Sequence, residues 1–541
     1  MARKFWVFAS LVGFGAGNAY GCGTDTLGEL NTSSDGGSAD GQADGIGPLD
    51  DAESDADAFA FDDASDAAAV DAGPLSASYV DFDINHVLIT GQSNSVSNGG
   101  QPVLSTSQPF SNLMFDTGPM SMKGSFGAPT GCGGGVNTGC CEGNEGCATF
   151  ETPTSLVPLI EGDRFFGYAV ETASAGTANG ISYLAQQDYG FGARPGYPQK
   201  HVVLTTLHGR SGWTYQCMRK GSCNYKYGGA RAGYVPPFTQ AMQEVQNAKA
   251  LALAAGKTYV VRAVTTIHGE SDQDSYFHGT PEFPMAGTDG TPNKILDYAD
   301  GLIEWQQDYE AGVKAITGQT VAVPLLVSQL SGQNSTRVAA VAQYELEAHK
   351  RGAGKVVLIG PSYHLSLSNA DCLHFTSVGE RRLGEYFAKV YARVVFGGQT
   401  WEPVRPKQIT RTGSVITVKF FVPVPPLVVD TTHVTNPGNL GFDFVDGSGA
   451  TPAITNVAIT GPDTVQITLA TTPVGPNMRL RYAQNQNPGT CVGPGIGFAG
   501  GARGNIRDSD ATPSQAQDAK EVGGAPIPLW NWSVQFDEPL P

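Results

Sequence analysis

Short apolar runs alternate with longer segments of helical periodicity between residues 80 and 395, and this alternation constrains the fold more than any other feature. The apolar runs are rich in Val, Ile, Leu and Thr and cover residues 86–90, 201–207, 259–267, 321–330 and 355–359. Such continuous runs are typical of parallel strands buried on both faces. Helical spacing covers residues 237–254, 294–316, 337–351 and 377–394. The pattern predicts a three-layer α/β domain built on a parallel sheet.

Two segments of the chain lack this alternation. Residues 100–200 are rich in Gly, Pro, Thr and Ser, and we expect long surface loops there. After Gly397 the helical spacing stops, and strand-like alternation covers residues 414–422, 465–470 and 478–482. We therefore expect a C-terminal antiparallel β-domain arranged as a sandwich.

The N-terminus has the pattern of a bacterial export signal. Arg3 and Lys4 precede an apolar run over residues 5–16, and small residues occur within residues 19–21. The apolar run is too short to span a bilayer. Cys22 follows at once, so we expect an exported lipoprotein of the outer membrane or cell surface, whose lipid on Cys22 is its only membrane contact. Ordinary secretion without a lipid is the alternative.

An acidic segment joins this signal to the rest of the chain. Fourteen Asp or Glu and no Lys or Arg lie between Cys22 and Val80, so residues 1–80 carry a net charge of −12 and the remainder carries −6. A segment of Asp, Ala, Gly and Ser buries too little apolar surface to fold, and we expect a disordered tether. The remainder has no basic stripe, which argues against a nucleic-acid partner. The expected divisions are signal, tether, α/β domain and β-domain, over residues 1–22, 23–78, 79–397 and 398–541.

Eight cysteines remain once Cys22 is set aside, an even number that suggests disulfides in an exported protein. Cys217 and Cys223 are close enough in sequence to close a small loop. Four others occur in a Gly-rich insert and can pair among themselves: Cys132, Cys140, Cys141 and Cys147. Elimination leaves Cys372 to pair with Cys491. No His stands at ligand spacing beside the cluster, so we expect no zinc site.

The turn Gly91-Gln-Ser-Asn-Ser95 follows the first apolar run. A Ser at the C-terminal end of a parallel strand lies where α/β sheets bind their ligands. We expect this turn to open a helix, whose free N–H groups would face a developing oxyanion. Ser93 is therefore a candidate nucleophile, although a Ser that merely caps a helix gives the same pattern.

The pair in Asp371-Cys-Leu-His374 precedes the last helical segment. Asp and His three residues apart can place both side chains on one side of a turn. The carboxylate then orients the imidazole that accepts the Ser proton. His364 is the rival base, but no Asp stands three residues before it.

Two further strand ends carry polar turns. His268 and Gly269-Glu-Ser-Asp272 follow the third apolar run, and Gly212 lies in the turn after the second. The carboxyl ends of parallel strands meet at one edge of a sheet, so we expect these turns to lie around Ser93.

These motifs carry a family resemblance. Gly91-Gln-Ser-Asn, Gly269-Glu-Ser-Asp and Asp371-x-x-His374, in this order, resemble the SGNH (GDSL-like) hydrolases, and within them the branch of sialate O-acetylesterases and acetyl xylan esterases. The resemblance covers roughly residues 82–395. It implies a flavodoxin-like three-layer sandwich, in agreement with the alternation above.

The resemblance also implies catalytic roles. Ser93 would be the nucleophile, His374 the general base and Asp371 the residue that orients it. Backbone N–H groups of Ser93 and Gly212 would form the oxyanion hole, with Gly209 as the alternative glycine.

The second motif departs from the family at one position. His268 stands where this branch often has Gln, so an imidazole N–H would be the third oxyanion donor, and its protonation would make activity pH-sensitive. We expect Glu270 and Asp272 to anchor the loop rather than to transfer protons. The remaining motif residues are expected to support the site: Gln92, Asn94 and Gly269.

These roles imply ester hydrolysis in two steps through an acyl-enzyme, with no metal or organic cofactor. The resemblance implies O-acetyl or other short acyl esters on carbohydrate as substrates. A lipase or polyester hydrolase on the same triad is one alternative. Another is a surface carbohydrate-binding protein with an inactive esterase domain, in which Trp401, Trp530 or Trp532 would stack on sugars; packing in the core is the interpretation we prefer for these side chains.

Overall fold

The structure is a computed structural model that describes residues 74–123, 149–162, 169–221, 235–277, 279, 281–330, 340–368, 371, 373–448, 450–484, 502–515 and 526–541. All of them belong to one compact unit, Ala68–Pro541. The predicted signal, Cys22 and most of the predicted tether lie outside the described residues. Cys217 is disulfide-bonded. Its predicted partner and the other cysteines also lie outside the described residues: Cys132, Cys140, Cys141, Cys147, Cys223, Cys372 and Cys491.

A seven-stranded sheet forms the centre of this unit. The strands in the first part of the chain are β1 (Ile84–Gly91), β2 (Leu113–Phe115), β3 (Met122–Lys123), β4 (Thr149–Phe150), β5 (Leu156–Pro158), β6 (Val203–Leu207), β7 (Tyr259–Ile267), β8 (Leu325–Gln329) and β9 (Val356–Pro361). The sheet order is β5-β2-β6-β1-β7-β8-β9, and only the edge pair β2–β5 is antiparallel. Strands β3 and β4 form a separate pair. The five longer parallel strands therefore follow the flavodoxin-like order 2-1-3-4-5, in which the chain reverses direction across the sheet at β1.

Helices cover both faces of this sheet. They are α1 (Ala173–Gln187), α2 (Tyr215–Met218), α3 (Pro237–Ala254), α4 (Glu270–Phe277), α5 (Tyr298–Thr317), α6 (Ala340–Arg351) and α7 (Ser377–Tyr391). Successive residues of β1 point to opposite faces: Val87 packs in the core with α1 and α7, and Leu88 packs in the core with α3, α5 and α6. The predicted α/β arrangement, a mainly parallel sheet with helices, is confirmed. None of the described helices is both long and apolar enough to cross a membrane.

Helix α1 lies in the segment that we expected to form loops. Its Ala, Gly, Ser and Thr side chains let it approach α7 closely. A Cβ on Gly176 would clash with the carbonyl oxygen of Arg381, and one on Gly180 would lie 2.7 Å from Cβ of Ala388. The loop prediction is wrong for this helix, which is stabilised by its close packing against α7.

Antiparallel sheets follow the α/β part. Their strands are β10 (Arg405–Thr412), β11 (Val415–Phe421), β12 (Val428–Val429), β13 (Phe442–Val445), β14 (Ile454–Gly461), β15 (Thr464–Leu469), β16 (Arg479–Tyr482), β17 (Ile506–Arg507) and β18 (Phe536–Pro539). The sheet orders are β10-β11-β15-β14, β13-β16-β18 and β12-β17. The rings of Phe420 on β11 and Phe536 on β18 lie 6.3 Å apart, so the two larger sheets share a core.

The C-terminal segment before β18 bonds the β-sheets to the α/β part. Gln329, at the end of β8, exchanges two hydrogen bonds with the backbone of Gln535. The hydroxyl of Tyr363 donates to the carbonyl oxygen of Ser533 over 2.7 Å. The expected division at residues 397 and 398 therefore separates two parts of one compact unit.

The folded unit also begins earlier than the expected tether boundary. The backbone N–H of Ser76 donates to the carbonyl oxygen of Phe396 over 2.7 Å, and Leu75 packs against the core. Residues 75 and 76 therefore contact the folded unit, and Ser76 does so at Phe396, beyond the end of α7.

Candidate active site

Ser93 lies in the turn that follows β1, at the carboxyl edge of the sheet. Gly91 permits this turn because its φ is +135°, and a Cβ there would clash with the carbonyl oxygen of Ile267 at the end of β7. The same oxygen accepts the backbone N–H of Gln92 over 3.0 Å. Ser93 is 7% exposed. It thus occupies the point where the strand order reverses, which is where doubly wound sheets bind their ligands.

The segment after Ser93 is a series of turns, not the helix we expected. The backbone N–H of Val96 donates to Gln92 and that of Ser97 to Asn94, but Ser97 then adopts a φ of +58°, which interrupts the helical path. No described residue accepts a hydrogen bond from the backbone N–H of Ser93. This N–H therefore remains available as a hydrogen-bond donor, although it does not lie at the start of a regular helix.

Asp371 and His374 form a hydrogen-bonded pair on the loop before α7. Nδ1 of His374 lies 2.5 Å from Oδ2 of Asp371, and Oδ1 accepts the backbone N–H groups of Leu373 and His374 over 3.0 and 3.1 Å. Burial alone would raise the pKa of Asp371, but these hydrogen bonds lower it below its ordinary value. The ionised carboxylate holds the proton on Nδ1, so Nε2 is the imidazole nitrogen with a free lone pair.

The loop of His374 lies against the turn of Ser93. A Cβ on Gly99 would lie 3.0 Å from Cβ of His374 and would clash with the carbonyl oxygen of Phe375. Nε2 of His374 is buried and has no hydrogen-bond partner among the described residues, and no hydrogen bond joins it to the Ser93 hydroxyl. Hydrogen bonds between catalytic groups are often long in a free enzyme and shorten when substrate binds.

Asn94 joins the two loops through its side-chain amide. Oδ1 accepts the backbone N–H of Phe375 over 3.1 Å, and Nδ2 donates to the carbonyl oxygen of Leu373 over 3.2 Å. Nδ2 also donates to Oε1 of Glu270 over 2.7 Å. The residue next to Ser93 therefore contacts the backbone on both sides of His374.

His268 is buried with both ring nitrogens engaged. Nε2 lies 2.9 Å from the carbonyl oxygen of Trp213, so it carries the proton and donates there. Nδ1 lies 2.7 Å from the hydroxyl of Tyr298 and accepts from it. Burial lowers the pKa of His268 to about 4, so the ring is neutral at neutral pH. Our expectation of an oxyanion donor at His268 does not agree with these contacts, because the one N–H of the ring is already used.

The turn of Ser93 contacts the start of α4 through polar groups. The residues predicted to support the site here are Gln92, Gly269, Glu270 and Asp272. The Gln92 side-chain oxygen accepts the backbone N–H groups of Ser271 and Gly269 over 3.0 and 3.4 Å. Burial raises the pKa of Glu270, against the opposing effect of the hydrogen bond from Asn94.

Asp272 is buried beneath the loop that follows β6. Its Oδ2 accepts the backbone N–H of Tyr215 over 3.0 Å. Burial raises its pKa well above the usual range. The contact ties the start of α4 to the loop that contains Gly212.

The loop of Gly212 borders the turn of Ser93. Asn98 donates through Nδ2 to Oγ of Ser211 over 2.8 Å, one residue before Gly212. Gly212 has a φ of +71° and open space at its Cβ position. Gly209, the alternative oxyanion glycine, packs so closely on the turn that a Cβ would clash with Oγ of Ser95.

A buried polar chain beneath this loop was not anticipated from the sequence. The Arg210 guanidinium is fully buried and donates to the carbonyl oxygen of Gly209 over 2.8 Å and to Oε1 of Gln240 over 2.7 Å. Gln240 donates in turn to Glu244, which also contacts His208. The signal in the sequence was a lone Arg at a strand end, and its partners on α3 are contacts that only the fold creates.

The rival base His364 lies apart from the Ser93 turn. Its ring stacks on Trp532 at 5.7 Å and meets Tyr386 edge-on at 4.9 Å. The small cavity around it is lined by the end of β9, α7 and the C-terminal segment. Burial lowers the pKa of His364 well below its ordinary value, and the charges of Arg382 and Lys389 add to this effect.

The three tryptophans considered for sugar stacking are all buried. Trp401 donates through Nε1 to the carbonyl oxygen of Leu358 over 3.0 Å, and Trp530 packs against His433 at 4.6 Å. Trp532 packs on His364, as described above. These contacts agree with our preferred interpretation of core packing.

A second small cavity adjoins the site at the ends of β7, β8 and β9. Its lining includes Asn94, Glu270, Gln329 and Leu373. Within the described parts of the chain, no group of three or more His, Cys, Asp or Glu is arranged to hold a metal ion.

Comparison with known proteins gives matches at the level of structure only. No family model matches the chain, and no curated protein matches it. A carbohydrate acetylesterase from Xanthomonas citri is similar with a TM-score of 0.44 and 14% identity, over 84% of this chain and 80% of that one. A carbohydrate acetylesterase from Sinorhizobium meliloti is similar with a TM-score of 0.24 and 13% identity, over 57% of this chain and 99% of that one.

Proposed function

We propose that this chain is a serine hydrolase that cleaves carboxylic esters. Ser93 is the nucleophile, His374 the general base and Asp371 the group that orients the imidazole. One observation carries the proposal: the 2.5 Å contact between Nδ1 of His374 and Oδ2 of Asp371 leaves Nε2 as the acceptor, on a loop that packs against the turn of Ser93.

The reaction follows from these positions. Nε2 of His374 takes the hydroxyl proton as the oxygen of Ser93 attacks the ester carbonyl. The tetrahedral intermediate carries a negative oxygen, which the backbone N–H groups of Ser93 and Gly212 stabilise. Its collapse transfers the proton to the leaving alcohol and leaves an acyl group on Ser93. Water then attacks the acyl-enzyme with the help of His374 and releases the acid and the free serine.

The resemblance of the three motifs to SGNH hydrolases of the sialate O-acetylesterase and acetyl xylan esterase branch supports a narrower substrate class. We propose O-acetyl or other short acyl esters on carbohydrate. Export with a lipid on Cys22 belongs to the same proposal, because extracellular glycans are the substrates accessible from the cell surface.

Replacement of the nucleophile tests the reaction. The variant Ser93→Ala should lose at least about 10³-fold in kcat for 4-nitrophenyl acetate, because no other hydroxyl takes its place. Ser182→Ala is the matched control, since Ser182 is equally buried on α1 and bonds to Asn112. Mass spectrometry of the enzyme quenched during turnover should find the acyl group on Ser93. Equal activity of Ser93→Ala and the parent would refute the proposal.

The identity of the base is tested in the same assay. His374→Gln should lose activity by a similar factor, whereas His364→Gln should retain kcat in the folded enzyme. The reverse result would assign the base to His364.

A substrate panel tests the substrate class. Release of acetate from acetylated xylan or O-acetylated sialic acid, with little turnover of long-chain 4-nitrophenyl esters, is the expected outcome. Preference for the long-chain esters would identify a lipase or polyester hydrolase on the same triad, and would contradict the carbohydrate assignment.

A further inference from the structure

The side-chain amide of Asn94 has only one orientation that satisfies its neighbours. Its oxygen meets an N–H, from Phe375, while its nitrogen meets two oxygens, from Leu373 and Glu270. Exchange of the two ends would place oxygen against two acceptors and nitrogen against a donor. Asn94 is 2% exposed, so water cannot substitute for these partners.

The two backbone groups that this amide binds are those on either side of His374. The carbonyl oxygen of Leu373 belongs to the peptide group before His374, and the N–H of Phe375 belongs to the peptide group after it. Two hydrogen bonds from one rigid amide therefore fix the backbone position of His374. Asp371 fixes the rotation of the ring through Nδ1. Position and rotation are thus set by different residues.

Glu270 favours the same orientation of the amide as the two backbone groups do. Its carboxylate, buried in the first turn of α4, accepts from Nδ2 over 2.7 Å. The ionisable groups around it are Asp272, Glu345 and His374. Because Oε1 of Glu270 accepts this hydrogen bond, Glu270 requires the amide nitrogen on its side.

The geometry points to Asn94 as a positioning residue that holds His374 in reach of Ser93, with Glu270 reinforcing the direction of the Asn94 amide. The kinetic consequence of this inference rests on the proposed esterase function. Asn94 does not touch the reacting atoms in this account. It acts through the backbone of the loop before α7.

Three variants test the inference through kcat and KM for 4-nitrophenyl acetate. Asn94→Ala removes all three hydrogen bonds and should lower kcat about 10²-fold with little change in KM. The reason is that a small displacement of the base slows proton transfer but does not weaken substrate binding. Asn94→Asp should lose at least as much, since its second oxygen faces the carbonyl oxygen of Leu373 and the carboxylate of Glu270.

The double variant Asn94→Asp with Glu270→Gln reverses the direction of one hydrogen bond. The new amide can donate to the new carboxylate, while the other oxygen still accepts from Phe375. We expect recovery of about tenfold in kcat relative to Asn94→Asp alone. A double variant no faster than the single one would overturn the role of Glu270.

The matched control is Asn505→Ala in the β-sheet part. Asn505 is fully buried, and its amide also donates to two backbone carbonyl oxygens, those of Asp430 and Val434. It should lose stability without losing kcat in the folded enzyme. A kcat loss equal to that of Asn94→Ala would mean that general destabilisation, not positioning, explains both.

A second readout does not depend on ester hydrolysis. NMR of protein with isotope-labelled histidine gives the ring signal of His374, assigned by its loss in His374→Gln. Asn94→Ala should shift or broaden this signal, whereas Asn505→Ala should leave it unchanged. An unchanged signal in Asn94→Ala, or a kcat within about threefold of the parent, would overturn the inference. If the parent hydrolyses no ester but the signal still moves, the positioning holds and the proposed function fails.

Discussion

Nδ1 of His374 lies 2.5 Å from Oδ2 of Asp371, and a second pair in the chain has the same local geometry. In the β-sheet part, Nδ1 of His433 lies 2.9 Å from Oδ2 of Asp430, and Oδ1 of that carboxylate also accepts two backbone N–H groups. Both are Asp-x-x-His turns. Only the first lies against the turn of Ser93, so location and not spacing makes Asp371 and His374 the candidate catalytic pair.

The two pairs allow a matched test of the orienting carboxylate. Asp371→Asn should lower kcat by about 10²–10⁴-fold, because the amide cannot hold the proton on Nδ1 of His374. Asp430→Asn makes the same chemical change at His433 and should leave kcat unchanged in the folded enzyme. Steady-state kinetics with 4-nitrophenyl acetate measures both. Equal losses in the two variants would contradict the assignment of Asp371.

His268 should affect the acid stability of the protein rather than the pH profile of its activity. Burial lowers its folded-state pKa to about 4, below the ordinary value of 6.5. The unfolded chain therefore binds the proton more tightly, and the stability contributed by the neutral ring is complete above pH 6.5 and is lost as the pH falls toward 4. His268→Gln lacks this titration.

The measurement is the free energy of unfolding from pH 7 to pH 4. The stability difference between the parent and His268→Gln should shrink by roughly 2–3 kcal/mol over this range. Asp272 lies 3.8 Å from the ring and is kept the same in both proteins. A constant difference, or a change in the pH profile of kcat/KM above pH 5, would show that His268 titrates in the active enzyme.

Glu161 should make the protein less stable as the pH rises. Burial, with the charge of Glu171 adding to it, raises the pKa of Glu161 to about 8. Its folded-state pKa is above the unfolded value of 4.5, so its contribution is complete below pH 4.5 and is lost as the pH rises toward 8. Glu161 accepts the backbone N–H of Ala175 at the start of α1, and Gln can still accept this bond.

The variant Glu161→Gln should therefore be increasingly more stable than the parent between pH 5 and pH 8. We expect a gain of roughly 2–4 kcal/mol at pH 8, measured by urea unfolding. Glu347→Gln on α6 is the control, since the side chain of Glu347 is only about half-buried and pairs with Lys350. Parallel pH curves for Glu161→Gln and the parent would contradict the raised pKa.

Gly91 should tolerate no side chain, and Gly360 provides a control at a similar φ. Gly91 has a φ of +135° and Gly360 a φ of +147°, but only at Gly91 does an added Cβ meet backbone, the carbonyl oxygen of Ile267. Both Ala variants incur backbone strain of about 1–3 kcal/mol. Gly91→Ala must in addition move β1 from β7. Chemical unfolding should therefore find Gly91→Ala less stable than Gly360→Ala by at least about 2 kcal/mol, and Gly91→Ala should lose activity. Equal stabilities would show that the turn can shift without cost.

Much of this architecture follows from local patterns. The apolar runs coincide with β1, β6, β7, β8 and β9 because parallel strands covered on both faces require continuous apolar sequence. The Ser93 turn, the Gly269 turn and the loop of His374 were identified as polar segments at strand ends or before a helix. Helix α1 was missed because its stability depends on close packing against α7, a contact between distant parts of the chain.

By itself the sequence determined the α/β alternation, the strand ends and the residue types available there. Only the tertiary structure decided which contacts these residues make. It places one of the two Asp-x-x-His turns against Ser93 and occupies both ring nitrogens of His268. It also brings Asn94 to the backbone around His374. The physical reason is that these are contacts between distant parts of the chain. Asn94 and Phe375 are 281 positions apart, and only the parallel sheet, by bringing its carboxyl ends to one edge, makes them neighbours.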